Sequence, residues 1–321
     1  MKPTSIISLI VAVLFIIVGL TTCIIAQNMA NASGEPLFAE EVGDGIVKSV
    51  DLGEVDISKI VLDVSEAEIN IFGNSETSYA EFVNFRVNYY TLSTANKTLT
   101  FNEITDFVSM LKFWENGFSF KGMRHIIRFS EDTDSKKIIN IHLTADHPIK
   151  IFEVEADCGT VSLESMTSGS DYTLNIEKGE VKADTLSTTS AFKLNGTELT
   201  LTMGKAEVGT MEIKAENLNM KVDSFLTAGS ALIETAGGSV TVVSAADMSS
   251  MNIDLDTLSG KLTVNGVEMD THYKPEKNPE LTSSVRIIAD SADISFSQSP
   301  VNGNAPETTA ETTPETPETA E

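Results

Sequence analysis

A phrase of about 20 residues, written over and over, limits what this chain can fold into more than any other property. Phrases begin near Ile149, Tyr172, Phe192, Met211, Ala231 and Met251, with a last one at Val285. Each holds a short alternating stretch, a polar or glycine-containing turn and a second alternating stretch, as in YTLNIEKGEVKADTL, MEIKAENLNMKVDSF and MNIDLDTLSGKLTVN. Alternation with period two puts one face in the core and the other in water, which is the pattern of a strand and not of a helix. The second stretches give the clearest inward ladders: Val161/Leu163, Val181/Ala183, Leu199/Leu201, Leu218/Met220, Val240/Val242, Leu262/Val264 and Ile294/Phe296. Gly159, Gly179, Gly238 and Gly260 stand two positions before four of these ladders, where positive φ lets the chain turn sharply. Thr197, Glu216 and Ala292 replace glycine in the others, which calls for turns of other types.

One phrase cannot fold alone. Burying its four or five aliphatic side chains contributes roughly 6 to 15 kcal/mol, while ordering its backbone costs about 1 to 2 kcal/mol for each of its ~20 residues. Neighbouring phrases must supply ladder hydrogen bonds and bury each other's apolar edges, as in stacked repeat arrays. The reading is therefore all-β: a parallel β-solenoid of ~20-residue repeats with an irregular N-terminal β cap, preceded by one transmembrane helix. The alternative is an antiparallel β-sandwich, to which turn signals at short spacing and the Asn195-Gly196 and Asn265-Gly266 dipeptides also point. The left-handed solenoid of 18-residue coils does not fit, because no six-residue aliphatic–glycine rhythm is present.

Ahead of the repeats the chain divides into an N-terminal anchor or signal segment (1–32), a linker (33–45) and a β cap region (46–148). The repeat array covers 149–300, and a Thr/Pro/Glu tail (301–321) is expected to be disordered, since NAPETTAETTPETPETAE cannot bury apolar surface. Ile6 to Ala26 contains nothing ionisable and is long enough to span a bilayer. Its 21 residues exceed the usual apolar stretch of a signal peptide, which favours an uncleaved anchor. Cleavage after Ala32, behind Ala30-Asn31-Ala32, and lipid attachment at Cys23 are the competing fates. Lys2 ahead of the span and acidic residues from Glu35 onward place the body outside the cytoplasm. The expected location is thus the cell membrane, single-pass, with secretion after signal cleavage as the alternative.

In the cap region KIVLDVSEAEINIFG, KTLTFNEI and IINIHLTADHPIKIFEV read as strands, and Ile104 to Phe113 has the spacing of a short helix. The stretch LKFWENGFSFKGMRHIIRF joins Trp114 to a local basic group of Lys112, Lys121, Arg124 and Arg128. It reads as an edge loop covering the end of the core, or else as an aromatic, cationic patch near the membrane.

The order KIVLDVSEAEINIFG, KTLTFNEI, the aromatic stretch from Phe113 to Phe120, INIHLTADHPIKIFEVEADCGTVSLESM and the closing VRIIADSADISFS resembles the bacterial putative-adhesin family, a domain-of-unknown-function class of β-strand-repeat proteins. The likeness covers about 240 residues and rests on the order of the segments, not on one motif. It implies an envelope-exposed, solenoid-like domain and brings no catalytic or binding residues with it.

Chemistry is sparse. Lys+Arg 22 against Asp+Glu 47 gives a net charge of -25, which repels phosphate backbones and argues against nucleic acid as a partner. Cys23 lies in the apolar segment and leaves Cys158 without an intrachain partner in the body, so no disulfide framework holds the fold, and Cys158 reads as a small semi-buried thiol. His125, His142, His147 and His272 are scattered, and His142 and His147, five apart and so on different faces of a strand, read as surface residues instead of a metal site. Asp171, Asp184, Asp223 and Asp254 lack the tandem pattern of calcium-loaded β-rolls and read as solvated. No phosphate loop, nucleophile elbow or paired acid and base is visible, so no catalytic, cofactor-binding or metal residue is assigned and no cofactor is expected.

Two functions from different classes remain. One is a non-enzymatic, membrane-anchored extracytoplasmic β-repeat protein, an adhesin or cell-envelope interaction scaffold whose partner is a cell-surface polymer or protein. The other is a carbohydrate-active β-helix enzyme. A carboxylate cluster beside a groove on one long face would favour the enzyme, and small polar residues there would favour display.

Overall fold

The computed structural model describes residues 47–85, 90–104, 136–167 and 169–299. The expected membrane span, the helix beyond Ile104, the Trp114 stretch, His125 and the acidic tail lie outside the described residues. Among the described residues no helix is long and apolar enough to cross a membrane, and apart from one 3-10 turn at Met248–Ser250 the regular structure is all strand.

The first part of the described chain contributes β1 (Val47–Asp51), β2 (Lys59–Phe72), β3 (Tyr79–Val83), β4 (Tyr90–Ser93), β5 (Thr98–Glu103) and β6 (Ile138–His142). The middle part contributes β7 (Ile151–Glu164), β8 (Met166–Thr167), β9 (Asp171–Thr227) and β10 (Ser230–Ser244). The C-terminal part adds β11 (Asn252–Thr257), β12 (Leu262–Val264), β13 (Val267–Met269), β14 (His272–Tyr273), β15 (Ser284–Ala289) and β16 (Asp293–Gln298). All sixteen belong to one sheet of mixed orientation, whose main path runs β1-β3-β6-β2-β7-β9-β10-β15-β11-β14.

The middle of that path is parallel and the two ends are antiparallel. β7 lies in register on the start of β9, with Phe152 opposite Tyr172 and Val161 opposite Val181. The end of β9 lies in register on β10, with Ile213 opposite Ile233. Inside the 57-residue β9 the same spacing continues through side chains, since Asn195 Nδ2 donates to Asn175 Oδ1 (2.9 Å) across 20 residues and Ser187 Oγ donates to Glu207 (3.1 Å) across another 20. At the N-terminal end β2 pairs in parallel with β7 on one side, and with β5 and β6 on the other. Antiparallel β4 and β3 then close that layer, and β1 closes β3. The C-terminal end mirrors this arrangement: β15 and β16 lie parallel on β10, β11 and β12 lie parallel on them, and β14 and β13 add antiparallel edges. The all-β expectation holds. The sheet contains both the parallel register that the solenoid reading needs and antiparallel pairs of the kind the sandwich reading needs.

All fourteen ladder residues read from the second stretches are buried, and so are Phe152, Tyr172 and Phe192 in the first stretches. Phe152 and Tyr172 stack face to face at 5.0 Å with ring planes 2° apart, so the register of the strands also sets the register of the rings. At the corners, hydroxyl groups bridge one layer to the next. Ser170 Oγ donates to the Ile149 carbonyl (2.8 Å), Thr188 Oγ1 to the Ser170 carbonyl (2.7 Å) and Ser283 Oγ to the Thr227 carbonyl (2.9 Å). These bonds satisfy carbonyls that the bending strands would otherwise leave unpaired. Of the four expected turn glycines, Gly159 (φ 149°) and Gly238 (φ 103°) adopt positive φ. Gly179 and Gly260 instead lie where a Cβ would meet a carbonyl of the adjoining layer.

Candidate functional site

Two outward faces follow from the alternation. On the first, Asp63 lies opposite Asn102 on one side and Glu155 on the other, and Glu155 lies opposite Asn175. The column continues through Asn195, then Lys214 opposite Glu234, Ile288 and Asp256. Lys214 Nζ is 2.9 Å from Glu212 and 3.5 Å from Glu234, and these two carboxylates hold its ammonium above the usual lysine range. Glu212 is correspondingly lowered by the hydrogen bond from Lys214. At the other end of the column, burial, followed by the charges of Glu155, Asp157 and Glu103, pushes the Asp63 carboxyl up.

The second face is dominated by small polar side chains towards its C-terminal half. Thr241 lies opposite Ser295, and Ser295 opposite Thr263. Towards the N-terminal end Asn140 lies opposite Asn70, whose Nδ2 donates to Asn140 Oδ1 (3.1 Å), and Asn70 lies opposite Ser162.

Where the first face turns into the corner, side chains become small and a groove of about 490 Å³ opens. Gly196, Ala215 and Ala236 give it a low floor, and Lys214, Glu216, Glu234 and Asp290 stand around it. Asp290 N donates to the Thr235 carbonyl (3.2 Å) and Ser291 N to the Ala236 carbonyl (2.8 Å), so the groove crosses successive layers of the sheet. Its size is in the range of small-ligand clefts. Sequence reasoning missed it because its floor is defined by absent side chains on phrases that are far apart in sequence. The signal available was the replacement of the turn glycine by Glu216, together with the Ala215 and Ala236-Gly237 positions.

The residues singled out from sequence are not brought together. His142 is clamped between Phe72 (4.6 Å, 20°) and Tyr79 (4.4 Å, 9°), and His272 lies 3.8 Å from Asp256 at the opposite end. His147 corrects the surface expectation. It is buried with Nδ1 unpartnered, packs edge-on against Phe152 (6.2 Å, 83°), and its imidazole is pushed below its ordinary pKa by burial and then by Lys150, with Asp146 opposing. Of the four aspartates expected to be solvated, Asp171, Asp184 and Asp223 are exposed and Asp254 is half-buried, and each also has a structural partner. Asp184 Oδ1 accepts from Ser165 N (2.6 Å), Asp171 Oδ1 accepts from Ala191 N (2.9 Å), Asp223 pairs with Lys221 (2.9 Å), and Asp254 pairs with Lys274 (2.7 Å). Cys158 is half-buried, and burial, then the carboxylates of Glu66, Asp157 and Glu177, raise its thiol pKa, which disfavours the reactive thiolate. Among the described residues no three His, Cys, Asp or Glu side chains are placed to hold a metal ion.

No family model and no curated protein matches the chain. Solved structures do. One is a putative cell adhesion protein from Clostridium sporogenes, 17% identical, with a TM-score of 0.33 over 79% of this chain and 99% of the other. Another is a putative adhesin from Bacteroides fragilis, 9% identical, with a TM-score of 0.35 over 79% and 97%. A third is a putative adhesin from Parabacteroides distasonis, 10% identical, with a TM-score of 0.37 over 80% and 98%. The family resemblance read from the sequence and these structural neighbours carry the same description.

Proposed function

We propose that this chain is a non-enzymatic, adhesin-like scaffold of the cell envelope, held in the membrane by residues 6–26 with its body outside the cytoplasm. On this reading the successive layers form a parallel β-solenoid closed by antiparallel caps, and the long outward faces meet a surface polymer or a protein partner. The observation that carries it is the run of in-register parallel pairs from β2 to β12, whose outward lysines engage carboxylates two positions along their own strand, as in Lys182–Glu180, Lys205–Glu207 and Lys214–Glu212, or on the neighbouring strand, as in Lys214–Glu234. Such an array distributes its polar side chains along rigid, regular faces suited to contact with an extended partner. The test is to reconstitute the full chain in nanodiscs and measure its retention on immobilised cell-wall polymers and matrix proteins. Saturable retention on one of them, with no fragment released, supports the reading, and retention on none overturns it. In intact cells, protease added outside must cleave the body; protection would overturn the proposed orientation.

The three carboxylates around the groove favour a second reading, a carbohydrate-cleaving enzyme. It requires release of new reducing ends from a bound polysaccharide, and loss of that release in Glu216→Gln or Asp290→Asn.

A further inference from the structure

We propose that the groove over Ala236 is a binding site for a basic peptide segment, seating one lysine or arginine side chain between Glu216 and Asp290. This deepens the scaffold reading above and rests on it. Glu216, Ala236 and Asp290 come from three consecutive layers, since Ala236 follows Thr235, which lies opposite Ala215 in β9 and Ala289 in β15. The two acids are therefore separated along the stack by two strand spacings, about 9.6 Å. An alanine lies between them where a longer side chain would fill the gap.

Charge decides what fits there. Lys214, the one cation lining the groove, is already engaged by Glu212 and Glu234, and nearby Arg286 faces Asp254 at 3.6 Å. Among the described residues the carboxylates of Glu216 and Asp290 have no ion-pair or hydrogen-bond partner, which leaves two uncompensated negative charges beside an open cleft. A divalent ion does not suit the site, because no third ligand joins them. An ammonium or guanidinium does, since each carboxylate can accept charge-assisted hydrogen bonds from it. The lining runs from Asn195 to Asp290 across four layers, about 14 Å, which is the reach of roughly four residues of extended peptide.

The assay is fluorescence anisotropy of labelled tetralysine against the full chain in nanodiscs of neutral lipid, at 150 mM salt to screen diffuse attraction. Saturable binding is expected, with no binding of tetraglutamate. The double variant Glu216→Gln/Asp290→Asn is expected to weaken it at least tenfold, and so is Ala236→Leu, which fills the gap without changing charge. Glu164→Gln/Asp270→Asn removes the same charge elsewhere and is expected to change affinity less than twofold. Equal losses in the two double variants, or no loss in the groove variants, would overturn the site. Either result leaves the scaffold reading standing, because retention on an envelope polymer is measured separately and does not need tetralysine.

Discussion

His147 shows how one residue can tie the fold to pH. Its ring is buried with Nδ1 unpartnered, so the fold accepts the neutral form and disfavours the charged one. Because the folded pKa lies below the unfolded value of about 6.5, both states are neutral above that pH and the contribution is flat. Below it the unfolded chain takes up a proton that the native chain refuses, so stability falls as pH drops from about 6.5 towards the folded pKa. Lys150 steepens this and Asp146 moderates it. Denaturation midpoints between pH 7 and 5 should fall for the wild type, by up to about 1.4 kcal/mol per pH unit from this group. His147→Leu should lack that part of the slope, and identical slopes would refute the account. The same scale shows why a dipeptide can mislead. Asn265 (φ 49°) and Gly266 (φ 77°) turn the β12–β13 hairpin, as the Asn-Gly signal promises. Asn195-Gly196 runs straight through β9, where Gly196 is needed because a Cβ would lie 1.9 Å from the Ile176 carbonyl. Gly196→Ala should therefore cost about 1–3 kcal/mol by overpacking, whereas Gly266→Ala, with open space around it, should cost about 1–2 kcal/mol through the left-handed backbone alone. Combining each with release of its local constraint separates the two: Gly266→Asn should recover most of the loss at 266, and Gly196→Asn should recover none.

At the scale of strands and corners, the inward alternation was fully legible, because burial follows period two wherever a layer is covered on both sides. The corners were not, because there the sequence offers hydroxyl residues that look like any polar turn. Thr257 illustrates the difference. It is buried, its Oγ1 donates to the Ala292 carbonyl (3.1 Å) and accepts from Gly260 N (3.0 Å), and so it joins two layers. Thr257→Val keeps the volume and removes both bonds, leaving buried backbone groups unpaired at a cost of about 1–3 kcal/mol. Thr263→Val on the second outward face should stay within about 0.5 kcal/mol. Urea midpoints of the two variants measure the contrast, and equal shifts would mean that the corner hydroxyls are incidental. The groove was hidden for a related reason. Glu216 was visible as the residue in place of a turn glycine, but its proximity to Asp290 depends on which phrase stacks on which.

The order of stacking is a property of the whole molecule, and local pattern cannot supply it. Read along the chain, the phrase at Met251 follows the phrase at Ala231 and the one at Val285 comes last. In the fold β15 and β16 insert between β10 and β11/β12, so the last phrase is internal and the one before it is terminal. Period-two patterns are nearly interchangeable, and a loop closing over some 20 to 30 residues adds little entropy cost, so nothing in the strands themselves fixes this order. Removing residues 284–299 therefore takes out an internal layer. Val285, Ile287, Ile294 and Phe296 are all buried, and losing them forfeits about 6–12 kcal/mol, comparable to the whole stability of an ordinary domain. Among the described residues β11 and β12 lose their only parallel partners with them. A chain ending at Ser283 should accordingly show fast amide exchange across 252–269, while β7 and the start of β9 stay protected, because layers contact only their neighbours. If 252–264 instead keeps its protection, β11 and β12 have docked directly on β10, and their equivalence to the missing layer, not the native order, governs how the stack closes.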